Sequence, residues 1–231
     1  MAHRRVKNTT KLEIIQTASR LFNENGYSNT SVRSICNELD MSTGHLMFYF
    51  PSKEHLLKIL VNELCDFQWK LIKSEVNDGN SLLLCICLEL MSMASACVEE
   101  AVAKDFFVSA YTSPLTLEII RKNDAERAKT VFSEFCPGWT DDDYRAAETL
   151  VSGIEYATLM TTESSATLEN RISSALNTIM LIYNVPEDLR KMKIEKVLSM
   201  DYRDIGKKIF REFRQYIEDV NEQAFEELLN K

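Results

Sequence analysis

Within the stretch DMSTGHLMFYFPSKEHLL, residues 40–57, the side chains of Thr43, His45, Tyr49 and Lys53 stand close to Gly44 and could share one surface. Their chemistry is that of contact rather than bond-making. A hydroxyl, an imidazole and a phenol exchange hydrogen bonds, an ammonium neutralises a phosphate, and a glycine lets backbone amides come close to an anion. The three histidines, His3, His45 and His55, all fall in or beside this region, so no Cys/His or Ser/His constellation can be assembled in the rest of the chain. A Gly-rich phosphate loop is also missing. Catalysis is not expected, and neither is a cofactor.

Such residues need an element that presents them together, and the first fifty residues supply three short helices. TTKLEIIQTASRLFNENGYS has Thr9/Thr10 as its start, apolar residues at Ile14, Ile15, Ala18, Leu21 and Phe22, and Gly26 where a left-handed C-terminal cap belongs. Thr30 is placed to cap a second helix whose inner face is Val32, Ile35, Cys36 and Leu39, and Ser42 to cap a third. Asp40 takes the turn between them, where it tolerates left-handed backbone better than most residues. Two short helices joined by so tight a turn form a helix-turn-helix. The third helix is then the one that enters a DNA major groove, with Thr43 and His45 on its first turn near base edges, and Tyr49 and Lys53 near phosphates. Met41, Leu46 and Phe50 are expected to pack inward.

Charge divides at the same place. Residues 1–53 hold seven Lys/Arg against four Asp/Glu, a balance of +3, while the remainder carries 20 bases against 31 acids, −11, within a total of −8. A basic head suits a polyanion, and an acidic body has no reason to touch one. The N-terminus MAHRRVKNTT has no apolar run behind it that would resemble a secretory signal, so a cytoplasmic protein is expected. SLLLCICLELMSMASACV approaches membrane-span length but carries Glu89 and several serines, which favours a core helix and no membrane partner. The six cysteines read as small buried hydrophobes. Cys85 and Cys87, two apart on a helix, point to different faces and cannot chelate together, so no metal is expected.

The run from IIQTASRLFNENGYS through SKEHLL also resembles the tetracycline-repressor (TetR) family of bacterial regulators. The features that carry the likeness are LFNENGY, TSVRSI, MSTGHLMFYF and SKEHLL, in order and at family spacing; the departures are Asp40, Cys36 and Met47. The resemblance implies an all-α chain: a three-helix DNA-binding head, residues 1–52, and a helical domain, 53–231, that dimerises and houses a small-molecule pocket. By motif position it puts Thr30, Arg33, Ser42, Thr43, Gly44, His45, Phe48, Tyr49 and Lys53 on DNA. The implied partners are double-stranded operator DNA, a second copy of the chain and an unidentified small-molecule effector.

In the body, long helical segments follow one another. Pro114 suits a first-turn position, and CPGWTDDD marks a break, with Thr140 as a cap before three aspartates. Two consecutive segments with broad small-residue faces are candidates for a four-helix interface between copies. The interface residues proposed on this ground are Ala147, Leu150, Val151, Gly153, Ile154, Ala157 and Thr158, with Ile172, Leu176 and Ile179 on the following segment. Effector-contact candidates are polar or aromatic residues on apolar faces, with one adaptable methionine: Phe67, Glu89, Met91, Phe107, Tyr111 and Tyr156. Glu89 must pair, snorkel or meet a cation. A final segment, DYRDIGKKIFREFRQYIEDVNEQAFEELL, is amphipathic and either covers the body or lengthens the interface.

The expectation is a dimeric, ligand-responsive regulator, a repressor by occupancy of its operator. Its rivals are a DNA-binding protein without an inducer, architectural or controlled by a protein partner, and a cysteine redox sensor.

Overall fold

The computed structural model describes residues 2–76 and 81–220, with side chains from Thr10 onward. The described residues form eleven α-helices and no strand: α1 (Ala2–Asn25), α2 (Val32–Glu38), α3 (Thr43–Tyr49), α4 (Lys53–Glu75), α5 (Leu82–Glu99), α6 (Ala101–Thr112), α7 (Pro114–Phe132), α8 (Asp141–Leu159), α9 (Leu168–Ile182), α10 (Glu187–Leu198) and α11 (Tyr202–Asp219). The part of the last amphipathic segment beyond Val220 lies outside the described residues.

Local signals account for most boundaries. Gly26 ends α1 at φ +87°, and Asp40 turns the chain between α2 and α3 at φ +48°. Ser42 accepts from the His45 amide at 3.2 Å and opens α3. Thr140 and Asp143 form a capping box at the start of α8, and Pro114 sits in the first turn of α7. Two expectations are corrected. Helix α1 opens at Ala2 rather than at Thr9 or Thr10, because no glycine or proline interrupts the intervening residues. The cap of α2 is Ser31, which exchanges hydrogen bonds with Ser34, and not Thr30.

Helix α5 runs through the middle of the body. It is long and apolar enough to cross a membrane, and 72% of it is buried within the chain. Its serines explain themselves here. Ser92 and Ser95 donate to backbone carbonyls, and they form a small-residue groove into which α11 fits. A Cβ on Gly206 of α11 would lie 2.5 Å from the Ser92 carbonyl oxygen, so only glycine permits this approach. Helix α11 therefore covers the body with Ile205, Ile209, Phe213 and Ile217 buried. It also reaches the head: the Gln16 side chain of α1 donates to the Glu218 carbonyl at 3.0 Å at the end of α11.

Candidate nucleic-acid interface and effector cavity

Helix α3 stands on the head by two inward anchors, Leu46 and Phe50, both buried, with Met41 half-buried beside them. Because the helix is only two turns long, those anchors fix its rotation and leave Thr43, Gly44, His45, Met47 and Phe48 exposed. Nothing lies within 4 Å of the place a Cβ on Gly44 would occupy, so this side of the helix start is open to close approach. His45 and Tyr49, four residues apart, hold their rings 5.3 Å apart, and Phe48 meets Tyr49 edge to face at 5.3 Å. The result is an aromatic ridge in which Phe48 is 71% exposed. Arg33 on α2 is exposed on the neighbouring helix, whereas Arg20 is bonded to Glu24 at 3.0 Å and Glu38 at 2.8 Å. Met47, 51% exposed, belongs to the outward face although it stands where the family pattern has an aromatic.

Two residues expected on this face are turned elsewhere. Thr30 is 3% exposed, and its hydroxyl donates to the Gly26 carbonyl at 2.8 Å and lies 3.1 Å from that of Leu21. A side chain so committed closes the α1–α2 turn and cannot face a partner. Lys53 points its ammonium back into the head, donating to the carbonyls of Tyr27 at 2.8 Å and Thr30 at 2.9 Å, and lies 3.9 Å over the Tyr27 ring. Burial lowers its pKa, against the pull of Glu54 and Asp105. It fastens α4 to the turn instead of standing free for a phosphate.

The body contains a cavity of about 70 Å³ between α4, α5, α6, α7, α8 and α9. Of the effector candidates, Glu89, Phe107 and Tyr111 line it. Phe67, Met91 and Tyr156 do not. Phe67 packs on α11 against Phe213 and Tyr216, with ring centroids 5.6 and 5.3 Å away. Met91 is fully buried two residues beyond Glu89 and so on another side of α5. Tyr156 is turned a hundred degrees or so away from Glu155, which does line the cavity.

Glu89 pairs, as its apolar surroundings require, and the rest of the charge in the cavity comes from residues the sequence did not single out. Arg127 donates to Glu89 at 2.9 Å and to the Cys65 carbonyl at 2.7 Å, and lies 3.5 Å from Asp124. Tyr111 donates to Glu155 at 2.9 Å, and Tyr183 donates to Glu148. Burial works against the charge on Arg127, but Glu89 and Asp124 outweigh it and hold the guanidinium protonated. Burial also raises Asp124 and Glu155 well above the usual carboxylate range and brings Glu148 to about 7. The signal that could have found these acids was their spacing: Glu148 and Glu155 are seven apart, two turns on the face that also carries buried Val151.

The expected interface separates into two faces. Ala147, Val151, Thr158, Ile172, Leu176 and Ile179 are buried within the chain, and Val151 and Ile179 line the cavity. These six are core, because each faces a neighbouring helix of its own chain. Leu150, Gly153 and Ala157 are exposed and Ile154 is half-buried. With Leu150 61% and, on α9, Leu181 54% exposed, an apolar stripe remains on the outer side of α8 and α9. Five of the six cysteines are buried and Cys65 is half-buried; burial pushes the thiols up, Cys65, Cys87 and Cys97 to about 12.

Comparison with known proteins agrees with the head. Residues 14–60 match the family of bacterial regulatory proteins described as the tetR family. Over 73 residues the chain is 36% identical to the probable HTH-type transcriptional regulator YttP of Bacillus subtilis (strain 168), covering 32% of this chain and 35% of that protein. Over 68 residues it is 41% identical to the uncharacterized HTH-type transcriptional regulator YuxN of the same organism, covering 29% of this chain and 23% of that protein. The matched region thus spans about a third or less of these curated relatives. Among solved structures, full-length native TylP, a TetR regulator from Streptomyces fradiae, is 16% identical with a TM-score of 0.48 over 94% of each chain. Residues 14–60, which hold the helix-turn-helix, thus match the tetR family of bacterial regulatory proteins.

Proposed function

We propose that this chain is a ligand-responsive, DNA-binding transcriptional regulator that works as a homodimer in the cytoplasm, a repressor released from its operator by a small molecule. Residues 1–52 form the DNA-reading head, and 53–231 form the domain that binds the effector and dimerises. The observation that carries this reading is α3: Leu46 and Phe50 hold it while Gly44, His45 and Phe48 face outward at the open start of a helix. That surface can bring backbone amides to a phosphate and a side chain to base edges. Ser42, Thr43, Arg33 and Tyr49 complete the proposed DNA contacts.

The cavity supports a small-molecule effector because α4 both starts at the head and lines the cavity with Val61, Leu64 and Gln68. A ligand that prefers one tilt of α4 changes the spacing of two heads, and the duplex accepts only one spacing. Roughly 100-fold tighter binding to the released state would supply about 3 kcal/mol of coupling, and operator must weaken the ligand by the same factor. Control by cysteine oxidation is less well supported, since buried thiols with raised pKa carry little thiolate.

Selection of bound sequences from random DNA tests the reading. A pseudo-palindrome with half-sites roughly 34 Å apart is expected. His45→Ala should relax base preference more than total affinity. Equal losses on selected and random DNA would remove His45 from base reading, and failure to enrich any sequence would overturn the regulator itself.

A further inference from the structure

The cavity holds more acid than base. Glu89 has Arg127, and Glu155 has Tyr111. Glu148 differs: it is 2% exposed, one oxygen accepts from Tyr183, and Oε2 is buried without a hydrogen-bond partner. A buried acceptor left unmatched is costly, and one that lines a cavity asks for a donor from whatever occupies it.

We infer that, on the reading of this cavity as an effector site, its ligand is a compact primary ammonium with a short hydrocarbon body, and that its N–H donates to Glu148 Oε2. The charge follows from Glu148, because burial favours the neutral forms of Asp124 and Glu155, Glu89 is paired, and the nearby guanidiniums have other partners. Glu89, Asp124 and Glu155 face Glu148 from α5, α7 and α8, while Arg127 is already taken by Glu89 and Arg121 is bonded to Ser152 at 2.9 Å. The donor follows from the unmatched oxygen, which a quaternary ammonium could not satisfy. The hydrocarbon follows from the walls, where Phe106, Phe107, Ala110 and Ile120 offer apolar surface and ring faces that favour a cation. The small size follows from a volume of about 70 Å³.

Glu148 also makes binding sensitive to pH. With its pKa raised to about 7 by burial, the carboxyl gives up a proton when the ammonium binds. Affinity should therefore fall as pH drops below about 7, approaching tenfold per unit.

Calorimetry of the full chain with n-butylammonium, 1-butanol, butyrate and tetramethylammonium tests this without DNA. Only n-butylammonium should bind well, at least tenfold tighter than 1-butanol, and Glu148→Gln should remove that preference. Tyr183→Phe keeps the carboxyl but deletes a donor that lowers its pKa, so the pH below which n-butylammonium affinity falls should move upward; this variant decides the matter if Glu148→Gln does not fold, and an unmoved pH profile would overturn the inference. Equal affinity for 1-butanol, no binding of any probe, or an unchanged Glu148→Gln would overturn the inference. Repeating the titration on the protein bound to its selected DNA separates the two readings. Cation binding without DNA release supports the ammonium site and overturns the effector role. Release by 1-butanol alone does the reverse.

Discussion

Lys53 shows how one residue type can serve two ends. An ammonium beside a DNA-reading helix suggests a phosphate contact, yet this one spends its donors on the carbonyls of Tyr27 and Thr30 and lies over the Tyr27 ring. Charge-assisted bonds of this kind are worth about 1.5–3 kcal/mol each when a buried partner would be left unmatched. Lys53→Met keeps the apolar stem and removes the donors. Denaturant unfolding should show a loss of about 2 kcal/mol, at the lower end for so partly buried a group. DNA affinity should fall for all sequences while the dependence on salt keeps its slope, because no phosphate contact is lost. A slope flatter by about one unit, with stability unchanged, would return Lys53 to the phosphate-binding set.

At the scale of elements, the join between head and body has two parts. Helix α4 continues from one into the other, and α6 holds the turn after α1. Asp105 of α6 accepts from the Ser28 amide at 2.8 Å and from the Ser28 hydroxyl. Gly26 makes this possible twice over: its φ of +87° suits glycine, and a Cβ there would lie 2.8 Å from Asp105 Oδ2. The next residues of α6, Phe106 and Phe107, line the cavity. On the proposed effector role, a shift of α6 on filling the cavity would reach the turn that carries α2 through Asp105. On that same role, Asp105→Ala should leave n-butylammonium affinity for the free protein within about twofold while cutting a coupling to DNA of roughly 100-fold, if that is its size in the native chain, to below tenfold. It should also speed hydrogen exchange at the Ser28 amide. Unchanged coupling would leave α4 as the whole of the transmission.

For the whole molecule, the outer stripe of α8 and α9 is the surface proposed to pair with a second copy. Leu150 and Leu181 are exposed there, with Gly153 and Ala157 small enough for close helix approach. The single chain itself leaves room at Gly153, with nothing within 4 Å of a Cβ. Gly153→Glu should therefore fold normally, with unchanged helical content and melting of the monomer. It should fail to dimerise, since a carboxylate buried between copies costs several kcal/mol. Light scattering that reports a dimer at micromolar concentration would move the seam elsewhere.

The sequence by itself determined the helix-turn-helix of the head, because its signals are local, although the start of α1 and the cap of α2 lie elsewhere than expected. Gly26 and Asp40 occupy left-handed backbone, Ser42 caps α3, and apolar residues three and four apart put Leu46 and Phe50 inward. Periodicity also marked out α8 and α9 as helices with wide apolar faces. What periodicity cannot say is which neighbour covers a face, and there only the tertiary structure decided. It buried Ala147, Ile172 and Leu176 inside the chain, left Leu150 and Gly153 outside, and turned Thr30 and Lys53 inward. It also brought Asp124 and Arg127 of α7 to Glu148 and Glu155 of α8, residues that periodicity alone does not set apart. Caps and turns are short-range interactions written within a few residues. The cavity depends on contacts between helices far apart in the chain, and its chemistry exists only where those helices meet.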